Sequence, residues 1–273
     1  MDKLKIGIVG CGAIGSSLAR VIVKDFSRQA RLSALFDIDK EKARRLSQKL
    51  FRTPAVAADN LKQLLRGSGL IIEAASAKVS WDIAKRALTM GRDVMIMSVG
   101  GVAIRLAQLT ALAENKRAKV YIPSGALCGI DGLKAANMGR IRKVTLTTVK
   151  NPASFKGVKY IEAKGINLSK VKKDTVLFFG KAAEAVKYFP QNINVAAVLS
   201  LAGVGVNKTR VRIIASPKVT RNIHEVRVES IAGNITTRTE NILHPDNPKT
   251  SYLAVLSAVA MLKQILGPVK IGT

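Results

Sequence analysis

A glycine-rich turn between an apolar strand and a helix constrains the fold of this chain more than any other feature. Residues 4–9 are mostly apolar and are predicted to form a buried strand, and residues 14–26 repeat apolar side chains at helical spacing. Between them, residues 10–15 read GCGAIG and match the pattern G-x-G-x-x-G. In that context the first glycine allows a tight turn, the second lets a pyrophosphate approach the backbone, and the third lets the helix pack on the strand.

The turn predicts a binding site for the pyrophosphate of NAD or NADP. The start of the helix offers N–H donors and the positive end of its dipole to phosphate groups. We therefore predict that the cofactor is bound by residues of the turn and of the first helical turn, namely Gly10, Gly12, Ala13, Ile14 and Gly15.

Asp37 is predicted to bind the adenosine ribose, because it ends a second strand, 22 residues after Gly15. A carboxylate at this point hydrogen-bonds the ribose hydroxyls and repels a 2′-phosphate, which favours NAD over NADP. Lys40 and Arg44 lie close enough in sequence to leave NADP open as an alternative. Asp37 is also compatible with a second role, as a cap of the helix that is predicted to follow it.

Strands and helices alternate from the first strand to about residue 122, which is typical of a parallel, doubly wound sheet. The pattern then changes. Residues 141–150, 222–230 and 235–241 alternate between apolar and polar, as strands with one exposed face do. The predicted class is therefore α/β, with an N-terminal Rossmann dinucleotide-binding domain and a smaller α+β domain with an open mixed sheet.

These patterns also predict the domain boundaries. Residues 1–122 form the Rossmann domain, residues 123–246 form the second domain, and residues 247–273 hold a C-terminal helix that packs back on the Rossmann domain. Asn247 and Pro248 are predicted to be the N-cap and the first residue of this helix, which then runs from about Lys249 to Leu266.

The net charge of +27 is high, with 45 lysines and arginines against 18 acidic residues. The basic residues are spread along the chain and do not alternate with aromatic ones, so no specific nucleic-acid binding is predicted. No apolar stretch reaches the roughly 18 residues that span a bilayer, and no signal-peptide pattern precedes the first strand. We therefore expect a cytoplasmic protein with a solvated cationic surface and no membrane contact.

Cys11 and Cys128, the two cysteines, are too few for a disulfide framework or a metal cluster. Both lie beside glycines in predicted turns. We predict that both are small buried thiols and that the chain holds no metal site.

His224 is the candidate catalytic residue. It lies in the alternating segment 222–230 and is one of two histidines, the other being His244. Histidine exchanges protons near pH 7, although a single histidine in a strand also suits a structural role. Two amides, Asn192 and Asn194, stand at the start of an apolar helix, where they either cap the helix or face a carboxamide or carboxylate ligand.

Five segments together resemble the L-aspartate dehydrogenase family. They are GCGAIG at residues 10–15, IPSGALCGIDGL at 122–133, FFGKAAEAVKYFPQNINVAAVLSLAG at 178–203, NIHEV at 222–226 and HPDNPKTSYLA at 244–254. The resemblance extends over nearly the whole chain and implies an enzyme that oxidises L-aspartate to iminoaspartate with NAD or NADP. Hydrolysis of iminoaspartate gives oxaloacetate and ammonia, and the family can supply iminoaspartate to NAD biosynthesis.

The resemblance also implies roles for individual residues. His224 corresponds to the active-site histidine of the family, and Ala126 corresponds to an alanine that contacts the cofactor. A cofactor-contacting asparagine corresponds to Asn192 or Asn194, and the register between the two is left open. The second domain, residues 123–246, is expected to bind the substrate and to build a homodimer through its sheet.

Two other functions are alternatives. Dihydrodipicolinate reductase has a similar two-domain plan and also acts on an imine, but its basic motif with adjacent histidines is absent from this sequence. A non-catalytic NAD-binding sensor would carry the same glycine-rich turn, with His224 in a structural role. Binding of NAD without turnover of aspartate would favour the sensor.

Overall fold

A five-stranded parallel sheet lies in the first of two units in the chain. The computed structural model describes residues 2–53, 56–189, 193–245 and 247–272. The first unit consists of residues 1–123 together with residues 255–270, and the second consists of residues 124–254 together with residues 271–273.

The strands and helices are numbered in chain order. The strands are β1 (Leu4–Val9), β2 (Ala30–Phe36), β3 (Leu70–Glu73), β4 (Asp93–Ile96), β5 (Val120–Tyr121), β6 (Ile141–Lys150), β7 (Thr175–Lys181), β8 (Arg210–Ala215), β9 (Asn222–Ser230), β10 (Gly233–Asn241), β11 (Leu243–His244) and β12 (Asn247–Ser251). The α-helices are α1 (Ala13–Lys24), α2 (Lys40–Phe51), α3 (Leu61–Gly67), α4 (Ala77–Thr89), α5 (Leu106–Lys116), α6 (Ile130–Asn137), α7 (Lys159–Ala163), α8 (Ala182–Tyr188), α9 (Ile193–Ala202) and α10 (Tyr252–Leu266).

The first unit has the strand order β2-β1-β3-β4-β5, and every neighbouring pair is parallel. Helices between successive strands provide the crossovers that parallel pairing requires. The strand order reverses between β1 and β3, and sheets of this kind bind ligands beyond the carboxyl ends of the strands at such a reversal. The predicted parallel Rossmann-type sheet is confirmed, and the glycine-rich turn follows β1 at the reversal.

The core of the first unit joins β1 to α1 and to the C-terminal helix α10. Ile6 and Ile8 of β1 belong to one buried cluster with Leu18 of α1 and with Ala258 and Leu262 of α10. Ala258 and Leu262 lie four residues apart, so they share one face of their helix. The helix therefore contributes part of the apolar surface that packs around β1.

The start of α10 corrects one prediction from the sequence. Asn247 and Pro248, which were expected to begin the helix, lie instead in β12, which pairs antiparallel with β11. Asn247 stands opposite His244, and the helix begins at Tyr252, so the predicted start near Lys249 is wrong. A two-stranded ribbon tolerates proline because both of its strands are edge strands, where proline is accepted.

The second unit contains a mixed sheet in the order β10-β9-β6-β8-β7. β6 and β8 pair in parallel, and the other neighbours are antiparallel. Its core combines side chains from the sheet with side chains from α6, α8 and α9, including Val144, Val226, Leu133, Ala185 and Leu199. The prediction of a second, mixed sheet is confirmed.

Burial distinguishes the two cysteines, which the sequence predicts to be alike. Cys11 is buried, and this burial raises the pKa of its thiol to about 12. Cys128 is exposed, so the prediction of a buried thiol is wrong there. Its loop runs along the edge strand β10, where the Thr237 hydroxyl donates to the Cys128 carbonyl oxygen at 3.2 Å and the thiol is left at the surface.

None of the helices in the described part of the chain is long and apolar enough to cross a membrane. The described residues also contain no group of three or more histidine, cysteine, aspartate or glutamate side chains arranged to hold a metal ion.

Candidate active site

Two glycines of the turn are required by close packing of the backbone. Gly10 has a φ of +98°, and a Cβ atom there would lie 2.5 Å from the carbonyl oxygen of Ala74, which follows β3. A Cβ atom at Gly15 would overlap the carbonyl oxygen of Gly10. These two positions let β3 and α1 approach the turn, as the motif predicts.

Gly12 has a different role, because a Cβ atom there would meet no atom within 4 Å. It is the N-cap of α1 and forms no side-chain capping hydrogen bond. The first N–H groups of a helix, here from residues 13–15, have no partner within the helix and point out of its N-terminal end. The turn therefore fits a dinucleotide, since these donors follow Gly12, where open space in place of a side chain lets a pyrophosphate approach the backbone.

Asp37 ties the end of β2 to the glycine-rich turn. Its Oδ2 accepts the N–H of Cys11 at 2.8 Å, and its Oδ1 accepts the N–H of Asp39 at 2.9 Å. The N-cap of α2 is Asp39, whose side chain accepts the N–H of Glu41, so Asp37 is not the helix cap. A carboxylate has about four lone-pair sites, and Asp37 is partly exposed, so acceptors remain for ribose hydroxyls.

A buried carboxylate that the sequence does not single out joins two loops of the first unit. Glu73 is the last residue of β3 and is fully buried. Its two oxygens accept the N–H groups of Ala75 and Ser98, each at 2.9 Å. Burial raises the pKa of Glu73, while hydrogen bonds from these N–H groups favour its ionised form. The sequence signal that could have identified Glu73 is the position of an acidic residue at the end of an apolar strand.

In the second unit, one face of the mixed sheet changes from apolar to polar along the strands. Leu146 stands opposite Val226 in the core, and two residues further along β6 Thr148 stands opposite His224. Thr239 of β10 is the neighbour of His224 on its other side. Side chains two residues apart share a face of a sheet, so Thr148, His224 and Thr239 form a polar row that continues the core face. We call it the first polar row.

His224 is held in this row as a neutral ring. The residue is 4% exposed, and its Nδ1 lies 3.0 Å from Oγ1 of Thr148. Burial, together with a smaller effect of the positive charge of Lys150, lowers the pKa of His224 to about 3. Because Thr148 occupies Nδ1, Nε2 is the ring nitrogen that is left for proton exchange.

The loop that contains Ala126 is fastened to the strand next to His224. The carbonyl oxygen of Ala126 accepts hydrogen bonds from Oγ1 of Thr239 at 3.1 Å and from Nδ2 of Asn241 at 3.2 Å. The Thr239 hydroxyl also lies 3.3 Å from the carbonyl oxygen of His224. The structure thus brings Ala126 and His224 to the same end of the mixed sheet.

The remaining residues from the sequence predictions are two asparagines and the second histidine. Asn192 lies outside the described residues, and Asn194 is exposed in the first turn of α9. His244 is buried against the ring of Tyr252 in an edge-to-face contact, with ring centroids 5.4 Å apart. The described contact of His244 is thus with an aromatic ring at the start of α10.

Known proteins that are similar to this chain share both of its units. Residues 131–265 match the family model for the C-terminal domain of aspartate dehydrogenase, and residues 10–123 match the model for the NAD-binding domain of homoserine dehydrogenase. The L-aspartate dehydrogenase of Methanosarcina acetivorans is 50% identical over 272 residues, covering 99% of this chain and 100% of the relative. The protein of the same name from Methanosarcina barkeri is 48% identical, with the same coverage of both chains.

Solved structures extend the similarity to the fold. The crystal structure of aspartate dehydrogenase from Thermotoga maritima has a TM-score of 0.75 and 27% identity, and the match covers 99% of this chain and 100% of that chain. A homoserine dehydrogenase from Thiobacillus denitrificans has a TM-score of 0.64 at 15% identity, covering 97% of this chain and 74% of that chain. At that identity the second structure shows a shared fold alone.

Proposed function

Because the chain belongs to the L-aspartate dehydrogenase family, we propose that it oxidises L-aspartate to iminoaspartate with NAD or NADP. The observation that carries this proposal is the 50% identity to an L-aspartate dehydrogenase across 99% of this chain, which includes both units. The Rossmann-type unit alone would not name the reaction, since that fold serves many chemistries.

The first unit supplies the cofactor site in this proposal. The N–H groups of residues 13–15 hold the pyrophosphate beside Gly12, Gly10 shapes the turn, and Asp37 binds the ribose hydroxyls. When bound, the nicotinamide ring supplies the acceptor for a hydride. The carboxylate of Asp37 disfavours a 2′-phosphate, so NAD is the preferred cofactor. Three further cofactor contacts stay predictions: Ala126, Asn192 and Asn194.

His224 is the proposed proton acceptor. The protonated amino group of L-aspartate must lose a proton before a hydride can leave Cα, because the nitrogen lone pair forms the new C=N bond. The neutral ring of His224 takes that proton, and its hydrogen bond to Thr148 fixes the orientation of the ring. His224 then releases this proton to solvent and returns to its neutral form. Water adds to the imine and gives oxaloacetate and ammonia, and the neutral ring is again available to activate that water.

The low pKa of His224 in the ligand-free protein suits its role as acceptor of the amine proton. At pH 7 the ring is unprotonated and therefore ready to accept a proton. A negatively charged substrate beside the ring stabilises the imidazolium, so the pKa of His224 rises when the substrate is bound. The acceptor thus becomes a stronger base in the complex than in the free protein.

A spectrophotometric assay with L-aspartate and each cofactor in turn tests the proposal. We expect reduced cofactor to accumulate, faster with NAD than with NADP, and oxaloacetate with ammonia to consume NADH in the reverse direction. A substrate panel separates the imine reductase alternative, and NAD binding without turnover of any acid would identify a sensor. Absence of reduced cofactor across a wide pH range would overturn the proposal.

We also propose that the protein is a cytoplasmic homodimer that supplies iminoaspartate to NAD biosynthesis. One observation supports the dimer. The strand β7 at the edge of the mixed sheet leaves the apolar side chains of Val176 and Phe179 more than half exposed, and exposed apolar surface of this kind is a candidate contact site. The pathway and the cellular location stay predictions from the family resemblance.

A further inference from the structure

A second polar row lies beside the first one and takes no part in the proposed proton transfer. Lys150, Asn222 and Asn241 each lie two residues from a member of the first polar row, on β6, β9 and β10 respectively. Because side chains two residues apart share a face, the second polar row lies on the face that carries His224.

Lys150 places a cation in this second polar row. Burial lowers the pKa of its ammonium group to about 8, so the group is still protonated at pH 7. Its positive charge acts on His224, whose pKa it lowers. The backbone there is fixed, because the Lys150 carbonyl oxygen accepts the N–H of Ser216 at 2.9 Å. A cation withdrawn from water is costly, and an anion bound beside it reduces that cost.

Asn241 presents a hydrogen-bond acceptor in the same row. The residue is 3% exposed, and its Nδ2 donates to the carbonyl oxygen of Ala126 at 3.2 Å. Exchanging the amide nitrogen and oxygen would set two acceptors against each other, so the orientation is fixed. Its Oδ1 is buried and has no hydrogen-bond partner among the described residues. A buried acceptor of this kind is rare in folded proteins, and a donor on a ligand explains it.

The two ends of the second polar row match the polar groups of an amino dicarboxylate. We propose that Lys150 binds a carboxylate of the substrate and that Oδ1 of Asn241 accepts a hydrogen bond from its amino group. The inference rests on the proposed function, because it takes L-aspartate as the ligand of this face. Both residues bind and orient the substrate, while His224 exchanges the proton.

Strand order explains why these two contacts would serve the reaction. Lys150 lies on β6 and Asn241 lies on β10, and the strand between them is β9, which carries His224. A ligand that spans the two contacts therefore crosses β9 beside the histidine. Its amino group, held by Asn241, then lies near His224, the proposed proton acceptor on the neighbouring strand.

Calorimetric titration of the chain in the presence of NADH tests the Lys150 contact, with L-aspartate and succinate as separate ligands. Succinate has two carboxylates and no amino group. In Lys150→Met, which keeps most of the aliphatic stem, we expect both dissociation constants to rise at least about tenfold. In the control Lys143→Met, on the exposed part of the same strand where the lysine pairs with Glu229 at 3.4 Å, both should stay within about twofold.

The same two ligands separate the Asn241 contact from a structural effect. We expect Asn241→Leu to raise the dissociation constant of L-aspartate about tenfold and to change that of succinate much less, because only L-aspartate has the amino group. An equal loss for both ligands would mean that the variant had loosened the Ala126 loop, and it would overturn the role of Asn241 as an amine acceptor.

Thermal unfolding distinguishes a lysine that binds the substrate from a lysine that only stabilises the fold. We expect ligand-free Lys150→Met to melt at the same temperature as the wild type or higher, because a partly buried charge is removed. It should also lose the upward shift that succinate gives the wild type. A lower melting temperature with normal succinate affinity would make Lys150 a structural residue and overturn the proposal.

Failure of this inference is distinguishable from failure of the proposed function. A wild type that binds neither L-aspartate nor succinate and shows no turnover would overturn the proposed function, and this inference with it. A wild type that oxidises L-aspartate, with a Lys150→Met variant that binds both ligands normally, would overturn the inference alone.

Discussion

The glycine-rich turn of the first unit and the polar face of the second are built by different means. The turn offers backbone N–H groups beside Gly12, where the absence of a side chain leaves open space. The polar face depends on side chains from β6, β9 and β10, whose neighbours are set by strand register. A site made of backbone thus occupies a few adjacent residues, whereas a site made of side chains draws on residues far apart in the chain.

Removal of His224 is expected to have the largest effect, and it tests the side-chain site alone. We expect His224→Ala to lower kcat by about 10²- to 10⁴-fold, the range typical of a general base. The dissociation constant of NADH should stay near the wild-type value, because the glycine-rich turn is unchanged. Steady-state kinetics with L-aspartate and a fluorescence titration with NADH measure the two quantities.

His244→Ala is the matched control for this variant. His244 is buried against Tyr252, so its loss should reduce stability without a comparable loss of kcat. Near-normal turnover by His224→Ala, with an unchanged pH dependence, would show that His224 is not the proton acceptor.

Two substitutions in the turn are expected to break the backbone site in different ways. Gly15→Ala places a methyl group on the carbonyl oxygen of Gly10 and should lower the free energy of unfolding by about 1–3 kcal/mol. Gly12→Ala places its methyl group in open space and should lower the free energy of unfolding by no more than about 1 kcal/mol. The affinity for NADH should nevertheless fall at least about tenfold, because the methyl group occupies the space where the pyrophosphate approaches the backbone. Chemical unfolding and NADH titration of both variants provide the comparison. Wild-type NADH affinity in Gly12→Ala would mean that the pyrophosphate lies elsewhere.

A further expected effect concerns stability at low pH, and it arises in the polar face. The pKa of His224 is 6.5 as an ordinary histidine and about 3 in the fold, so between these values the unfolded chain binds more protons. Stability therefore falls as the pH drops through this window, by at most about 1.4 kcal/mol per pH unit, and this contribution is fully present above pH 6.5. Cys11, in the turn, stays neutral across the same window because its pKa is about 12.

Urea unfolding of the wild type and of His224→Asn between pH 7 and pH 4.5 measures this contribution. We expect the free energy of unfolding of the variant to depend less steeply on pH than that of the wild type. Identical pH dependence in the two proteins would contradict a histidine that is buried in its neutral form.

The first unit could be predicted in detail because most of its elements depend on residues close in sequence. Asp39 and Asn60, for example, are the N-caps of α2 and α3, and their side chains accept N–H groups only two and three residues ahead. The contact of Glu73 with Ser98 could not be predicted, because it joins the ends of two strands and local patterns do not record which loops meet.

The second unit could be predicted less completely, because its site depends on strand register. Alternation reveals the strands, and His224 stands out as one of two histidines, but 76 residues separate it from Thr148. Lys150 is one of 45 basic residues, and nothing in its local sequence marks it. The helix α6 is not predicted either, because Gly129 and Gly132 give its segment the composition of a loop.

The position of α10 determines the order in which the protein can fold during synthesis. This helix supplies Ala258 and Leu262 to a core whose other buried members all precede residue 98. During synthesis, the strands of the second unit therefore leave the ribosome before α10, the last segment of the first unit's core. During that interval the nascent first unit has an uncovered apolar patch, which is a target for chaperones and for aggregation, and it closes only when residues 252–266 emerge.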